Sequence, residues 1–363
     1  MKPSKSIYCG VFSLVFACTL AGTVGCGVTN SNDKKIQLNP KLKRLLYWGY
    51  TEPSNYLPNT GLPAPSFVQL PIWVTTTQLY VNTWVLRNNV AQKGIFEITI
   101  DQNTNQFQSY SVFEFPNTIY SLGYDPNSGR VFAVYNNDNG REVAYVSLAG
   151  NQATIEDKIV GADWLPQGVI PRPGKSGFIF YGVNPITGIA GFYWNLKVTN
   201  IDTDSLLYAI SLDQGDANAF SITADGKYLL FSENVGSQYD PQLQFFKLDL
   251  SQTSQNPQSI VVRRGSALAI SPNPIDTSLV LLNYFFGGDA ENPPQAHIEL
   301  LNLETSTEID LDVRTSSLES QFIINSNPSW SPDGRNFAFA AGKASGEGNS
   351  GVLNEIWIYE NVP

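Results

Sequence analysis

Asn327-Pro328-Ser329-Trp330-Ser331-Pro332-Asp333-Gly334-Arg335, followed by Phe337-Ala338-Phe339-Ala340, reads as strand, tight turn, strand. The turn chemistry is explicit. Pro332 pre-sets its own φ, Asp333 can bond nearby backbone, and Gly334 accepts a positive φ. Working backwards, Ala224-Asp225-Gly226-Lys227 repeats the end of this unit, and Asp125 to Gly129 and Asn273 open looser versions. These aspartates are tempting as acid catalysts, but their regular placement assigns them to turn construction. Trp164 and Trp330 each precede such a turn and are expected to fill the space between neighbouring repeats.

Around these turns, apolar or alternating runs fall into six groups. The first has Gln78 to Leu86 and Gly94 to Ile100, with Arg87 to Lys93 as a hairpin loop. The second has Thr118 to Tyr124, Val131 to Tyr135 and Val143 to Leu148. The third has Gly161 to Leu165, Gly177 to Tyr181 and Ala190 to Leu196. The fourth has Ala219 to Ile222, Tyr228 to Ser232 and Leu243 to Leu248. The fifth has Ala267 to Ile270, Leu279 to Tyr284 and Ile298 to Leu303, and the sixth closes with Glu355 to Tyr359. Outer strands are supplied by Phe107 to Val112, Thr154 to Ile159, Ser205 to Ile210, Ser259 to Val262 and Thr307 to Leu311. Recurrence at this spacing is the mark of a propeller or solenoid. The expected fold is all-β: a six-bladed propeller of four-stranded antiparallel blades, residues 41–363. Lys43 to Trp48 would supply the last outer strand and remove an exposed edge. Seven blades remain open if Thr51 to Trp73 is more than a loop.

Composition agrees. The chain has 363 residues, 42% hydrophobic and only 15% charged, with many Gly, Pro and aromatics. That mixture suits short strands and turns better than long helices. The formal net charge is -10. No basic stripe stands out, which argues against nucleic acid as a partner.

The three cysteines, Cys9, Cys18 and Cys26, all lie before the repeats. Lys2 and Lys5 precede an apolar run from Val11 to Val24, the layout of a secretory signal peptide over residues 1–25. A membrane span competes, but the run is short and broken by Gly and Thr. Thr23-Val24-Gly25-Cys26-Gly27 resembles a bacterial lipoprotein signal, although Thr23 stands where Leu is usual. The resemblance implies lipidation at Cys26; ordinary cleavage is the alternative, and Cys18 a poorer acceptor. Residues 26–40 read as a polar tether. These features place the protein on the bacterial cell envelope, on the periplasmic or the cell-surface side.

The unit from Pro328 to Ala340, with Glu355-Ile356-Trp357-Ile358-Tyr359, resembles the WD40-like repeat of TolB-type β-propellers. Ala224 to Ser232 matches as well. Ala269-Ile270-Ser271-Pro272 matches but runs into Asn273 and Pro274 where that family has Asp and Gly. The resemblance implies a periplasmic or surface protein-interaction scaffold. Similar propellers also occur in lyases and fused to hydrolases, so fold does not settle activity.

The search for chemistry yields little. His297 is the one histidine, which excludes a His-rich metal site, and its strand setting reads as structural. No nucleophile elbow or phosphate loop is convincing, and Ser345 to Gly351 reads as a mobile hairpin loop. Asn136 to Gly140 could offer oxygens to calcium, but reads as a turn. Asp202, Asp204, Asp213 and Asp216 could oppose one another in a glycosidase, which only spatial separation decides. No catalytic, cofactor or metal residue is therefore assigned. Tyr56, Phe67 and Trp73 mark a possible contact surface for protein or carbohydrate; the competing reading buries them as a wrapping segment. The leading expectation is a non-enzymatic, lipid-anchored scaffold for an envelope protein. A carbohydrate-binding or carbohydrate-cleaving propeller and a structural accessory protein are the alternatives.

Overall fold

The computed structural model describes residues 37–47, 65–87, 90–138, 140–160, 168–174, 177–183, 188–195, 205–209, 219–234, 242–251, 256–264, 266–286, 295–315, 323–343 and 355–363. Every element among them is a strand or a turn. The expected all-β class is borne out.

The chain enters through β1 (Leu42–Tyr47) and then builds antiparallel meanders in order. The first is β2 (Pro65–Thr75), β3 (Gln78–Arg87), β4 (Val90–Ile100) and β5 (Phe107–Glu114). The second is β6 (Thr118–Asp125), β7 (Arg130–Asn137), β8 (Gly140–Ala149) and β9 (Gln152–Val160). One parallel bridge, Glu114 with Gln152, joins these two into an eight-stranded sheet. The third is β10 (Gly168–Pro171), β11 (Phe178–Val183), β12 (Ala190–Asn195) and β13 (Ser205–Ala209). The fourth is β14 (Phe220–Ile222), β15 (Tyr228–Asn234), β16 (Gln242–Asp249) and β17 (Gln258–Arg264). The fifth is β18 (Ser266–Pro272), β19 (Leu279–Phe286), β20 (Gln295–Asn302) and β21 (Glu308–Asp310). The last comprises β22 (Ile323–Asn325), β23 (Ser329–Trp330), β24 (Phe337–Lys343) and β25 (Glu355–Tyr359).

The N-terminal strand completes this last sheet. β1 runs antiparallel to β25, Leu42 opposite Tyr359 and Tyr47 opposite Glu355. The pairing expected for Lys43 to Trp48 is thus present over the described residues. It covers the edge that β25 would otherwise expose.

Side-chain alternation then decides the packing. Successive residues of a strand face opposite ways, so a strand buried on both faces joins two interfaces. In β15, Leu229 and Phe231 join Ile179, Tyr181 and Phe192 of the third sheet. Leu230 joins Ile270, Val280 and Leu282 of the fifth. Among the described residues there are six such clusters. They link the first and second sheets, the second and third, the third and fourth, the fourth and fifth, and the fifth and last. The sixth packs the last sheet on the first, with Leu45, Leu46, Ala340 and Ile356 against Leu79, Val81 and Phe96. The fit is tight. Between the fourth and fifth sheets, Leu230, Phe245, Val280 and Leu282 border a gap of only about 10 Å³.

Two sequence expectations need correction, and a third falls outside the described residues. The third sheet's first strand is Gly168–Pro171; Gly161 to Leu165 and Trp164 lie outside the described residues. Arg87 to Lys93 is mostly strand, because β3 and β4 pair out to Arg87 and Val90. The end of the Thr51 to Trp73 tract is the first strand of the first meander, hydrogen-bonded to β3, so over its described part it starts no additional sheet.

The repeat turns form as their residues dictate. Gly129, Gly226 and Gly334 have φ of 69°, 68° and 69°, values that favour glycine. At Gly334 a Cβ would also lie 2.5 Å from Asn273 Oδ1. Gly334→Ala should therefore cost about 1–3 kcal/mol, from left-handed strain and the collision together. A urea midpoint lowered without a change of slope would register it.

Candidate functional site

The repeat turns lie at the end of the fold where first and second strands meet. Ser331 Oγ donates to Asp333 Oδ1 at 2.5 Å and receives the Asn336 amide at 3.0 Å. Thr223 repeats this: its hydroxyl donates to Asp225 Oδ1 at 2.6 Å and receives the Tyr228 amide at 3.0 Å. Sequence reading missed Thr223, yet the signal was present. A hydroxyl residue stands two before Asp in both Thr223-Ala224-Asp225-Gly226 and Ser331-Pro332-Asp333-Gly334.

Asp125 is the looser variant. Its carboxylate receives the Asn127 amide at 3.0 Å, the Ser128 hydroxyl at 2.6 Å and the Tyr145 hydroxyl at 2.5 Å. Burial and then the bond to Asp125 push the Tyr145 phenol up to about 12. Asn273 likewise receives the amides of Ile275 and Asp276, both at 2.9 Å.

The turns also hold one another. Asn127 Nδ2 donates to Arg172 O at 2.9 Å, and Gly174 N donates to Asn127 Oδ1 at 3.1 Å. Asn273 Nδ2 donates to Gly334 O at 2.9 Å. A Cβ on Gly226 would lie 2.7 Å from Pro173 O. Successive sheets thus present their turns side by side at one end. The carboxylates of Asp125, Asp225 and Asp333 are held by turn donors, as turn construction requires.

Of the contact-surface residues, Tyr56 lies outside the described residues, and Phe67 is placed by its backbone only, opposite Trp84. Trp73 is 5% exposed, packed into the cluster between the first and last sheets. The expected contact surface is therefore corrected at Trp73: its strand position turns the ring inward. Asp202, Asp204, Asp213, Asp216 and Ser345 to Gly351 also lie outside the described residues. Trp330 fills the space between the fifth and last sheets, as expected. Its Nε1 donates to Ser271 O at 2.8 Å.

His297 sits on β20, its ring stacked at 5.4 Å on Tyr284. Its Nδ1 lies 3.6 Å from Asp310 Oδ2, and the His297 contact holds the Asp310 carboxyl below its usual range. Tyr284 donates to Glu299 at 2.7 Å, and Arg263 of the fourth sheet reaches Glu299 at 3.2 Å and also pairs with Glu308. This is a polar clasp between two sheets. The second sheet has a related arrangement, in which Tyr135 at 2.9 Å and Lys158 at 2.7 Å donate to Glu142. Burial alone would raise the Glu142 carboxyl; these donors bring it below its usual value.

Glu233 differs. It is 5% exposed, and burial alone pushes its carboxyl above the usual glutamate range. Native Glu233 thus binds more protons than unfolded chain between the ordinary and the raised value. Its contribution makes stability fall as pH rises through that window. Glu233→Gln should stabilise the protein at neutral pH, with the gain vanishing below the ordinary glutamate pKa. Melting curves of both proteins across that range will test it. An equal gain at every pH would contradict it.

Among the described residues no group of His, Cys, Asp and Glu could hold a metal ion. No family model matches the chain, and no curated protein matches it. Among solved structures, the chain is similar to an oligogalacturonate lyase in complex with manganese, at 12% identity and TM-score 0.47, covering 91% of this chain and 98% of that one. It is similar to the Dos1 propeller at 12% identity and TM-score 0.41, covering 81% and 78%. It is similar to the Niastella koreensis GH74 enzyme at 11% identity and TM-score 0.44, covering 76% of this chain and 45% of that one. At such identities and TM-scores none of these likenesses bears on this chain's chemistry.

Proposed function

We propose that the chain is a closed six-bladed β-propeller that binds a protein partner in the bacterial envelope, held to a membrane by lipid on Cys26. The observation that carries the reading is the cyclic packing order. Each sheet covers the next, the last covers the first, and β1 pairs with β25. A frame tied in this way holds its loops in place, which limits the conformational entropy lost on binding. The resemblance of Pro328 to Ala340 to TolB-type repeats supports the same assignment, and the leader up to Cys26 supports the anchor.

Two measurements test it. The purified lipidated protein, used as bait in envelope extract, should recover a saturable protein partner. Background capture alone, together with turnover of a defined polysaccharide, would replace the scaffold with a carbohydrate-active protein. Cys26→Ser should move the protein from the membrane to the soluble fraction. Unchanged membrane association would overturn the lipid anchor.

A further inference from the structure

We infer that the end of the fold carrying the repeat turns is its bilayer-facing surface. This rests on the lipid anchor at Cys26 proposed above. The direction in which the chain enters the fold carries it.

Asn39 and Lys41 are fixed where the tether meets the first strand. Asn39 Nδ2 donates to Leu311 O at 3.0 Å, and the Leu42 amide donates to Asn39 O at 3.0 Å. Glu360 N donates to Lys41 O at 2.9 Å, and Lys41 Nζ donates to Asn361 O at 2.8 Å. The same short C-terminal segment binds the turn before β24. Asn361 N donates to Asn336 Oδ1 at 3.1 Å and Val362 N to Arg335 O at 2.9 Å. The tether therefore leaves the fold beside the Ser331 to Asn336 turn. The contacts of Asn127 with Gly174, of Gly226 with Pro173 and of Asn273 with Gly334 put the other repeat turns at this same end. Antiparallel order puts Asp138, between β7 and β8, and Ile189, before β12, at the other end.

Length makes the bias measurable. About 12 residues lie between Cys26 and the described fold, a length of chain that reaches at most roughly 40 Å. The seven residues of β24 rise about 23 Å from one end to the other. With the turn-bearing end toward the bilayer, the far end stands about 23 Å further out.

The repeat body has no cysteine, so single thiols can be labelled cleanly. Lipidated protein carrying a donor dye at Lys227→Cys or Arg335→Cys, and separately at Asp138→Cys or Ile189→Cys, is bound to phosphatidylethanolamine–phosphatidylglycerol vesicles with acceptor-labelled headgroups. All four positions are exposed. Transfer should be at least twofold more efficient from Lys227→Cys and Arg335→Cys. Flotation with equal transfer, or with greater transfer from Asp138→Cys and Ile189→Cys, overturns the orientation alone. Failure of the protein to float with the vesicles overturns the anchor and the orientation together.

Discussion

Deleting residues 41–47 from the folded body should abolish cooperative unfolding, or lower the melting temperature by more than ten degrees, and should promote association. Leu42, Leu45 and Leu46 are each buried, and burial of such side chains is worth about 2 kcal/mol apiece. Their loss alone approaches the 5–15 kcal/mol by which a domain is typically stable. The same deletion strips β25 of its partner and leaves a strand edge open to other chains. Leu42 also packs toward the fifth sheet, whereas Leu45 and Leu46 pack toward the first. One short strand thus joins both interfaces of the last sheet. A synthetic peptide spanning residues 37–48 should restore part of the transition. Calorimetry and gel filtration would decide the matter; an unaltered melting curve after deletion would mean that β1 does not hold the last sheet to its neighbours.

Trp330→Ala should cost about 3–5 kcal/mol, the range for removing a large buried aromatic. The ring packs edge-on to Phe337 at 6.1 Å and sits among Leu281, Phe339 and Trp357. Trp330→Phe keeps most of that packing but removes the Nε1 donor to Ser271 O, for about 1–3 kcal/mol. The two variants separate packing from hydrogen bonding, and equilibrium denaturation reads both. Equal losses would assign the effect to the hydrogen bond, and no loss in either would detach Trp330 from the interface between sheets.

Turn chemistry and alternation were legible because both are local. Pro332, Asp333 and Gly334 announce their turn by side-chain chemistry alone, and β16 shows its two faces through Leu243, Phe245 and Leu248. The first strand of the third meander, Gly168 to Pro171, escaped notice because so short a run is marked as a strand only by its pairing with Phe178 to Tyr181. Trp73 was ambiguous for a related reason. A tryptophan in a proline-rich tract can face solvent or core, and its register opposite Leu79 settled the choice. The Glu299–Arg263 and Glu142–Lys158 pairs could not be read, since their members come together only when strands align.

The sequence by itself determined an all-β chain of repeated strand-turn-strand units, because backbone φ preferences and period-two burial are properties of neighbouring residues. Tertiary structure decided which sheet covers which, that Leu42–Tyr47 lies against Glu355–Tyr359, and at which end Asn39 and Lys41 join the fold. Those contacts join residues hundreds of positions apart. Their free energy comes from shared burial, which no local pattern encodes.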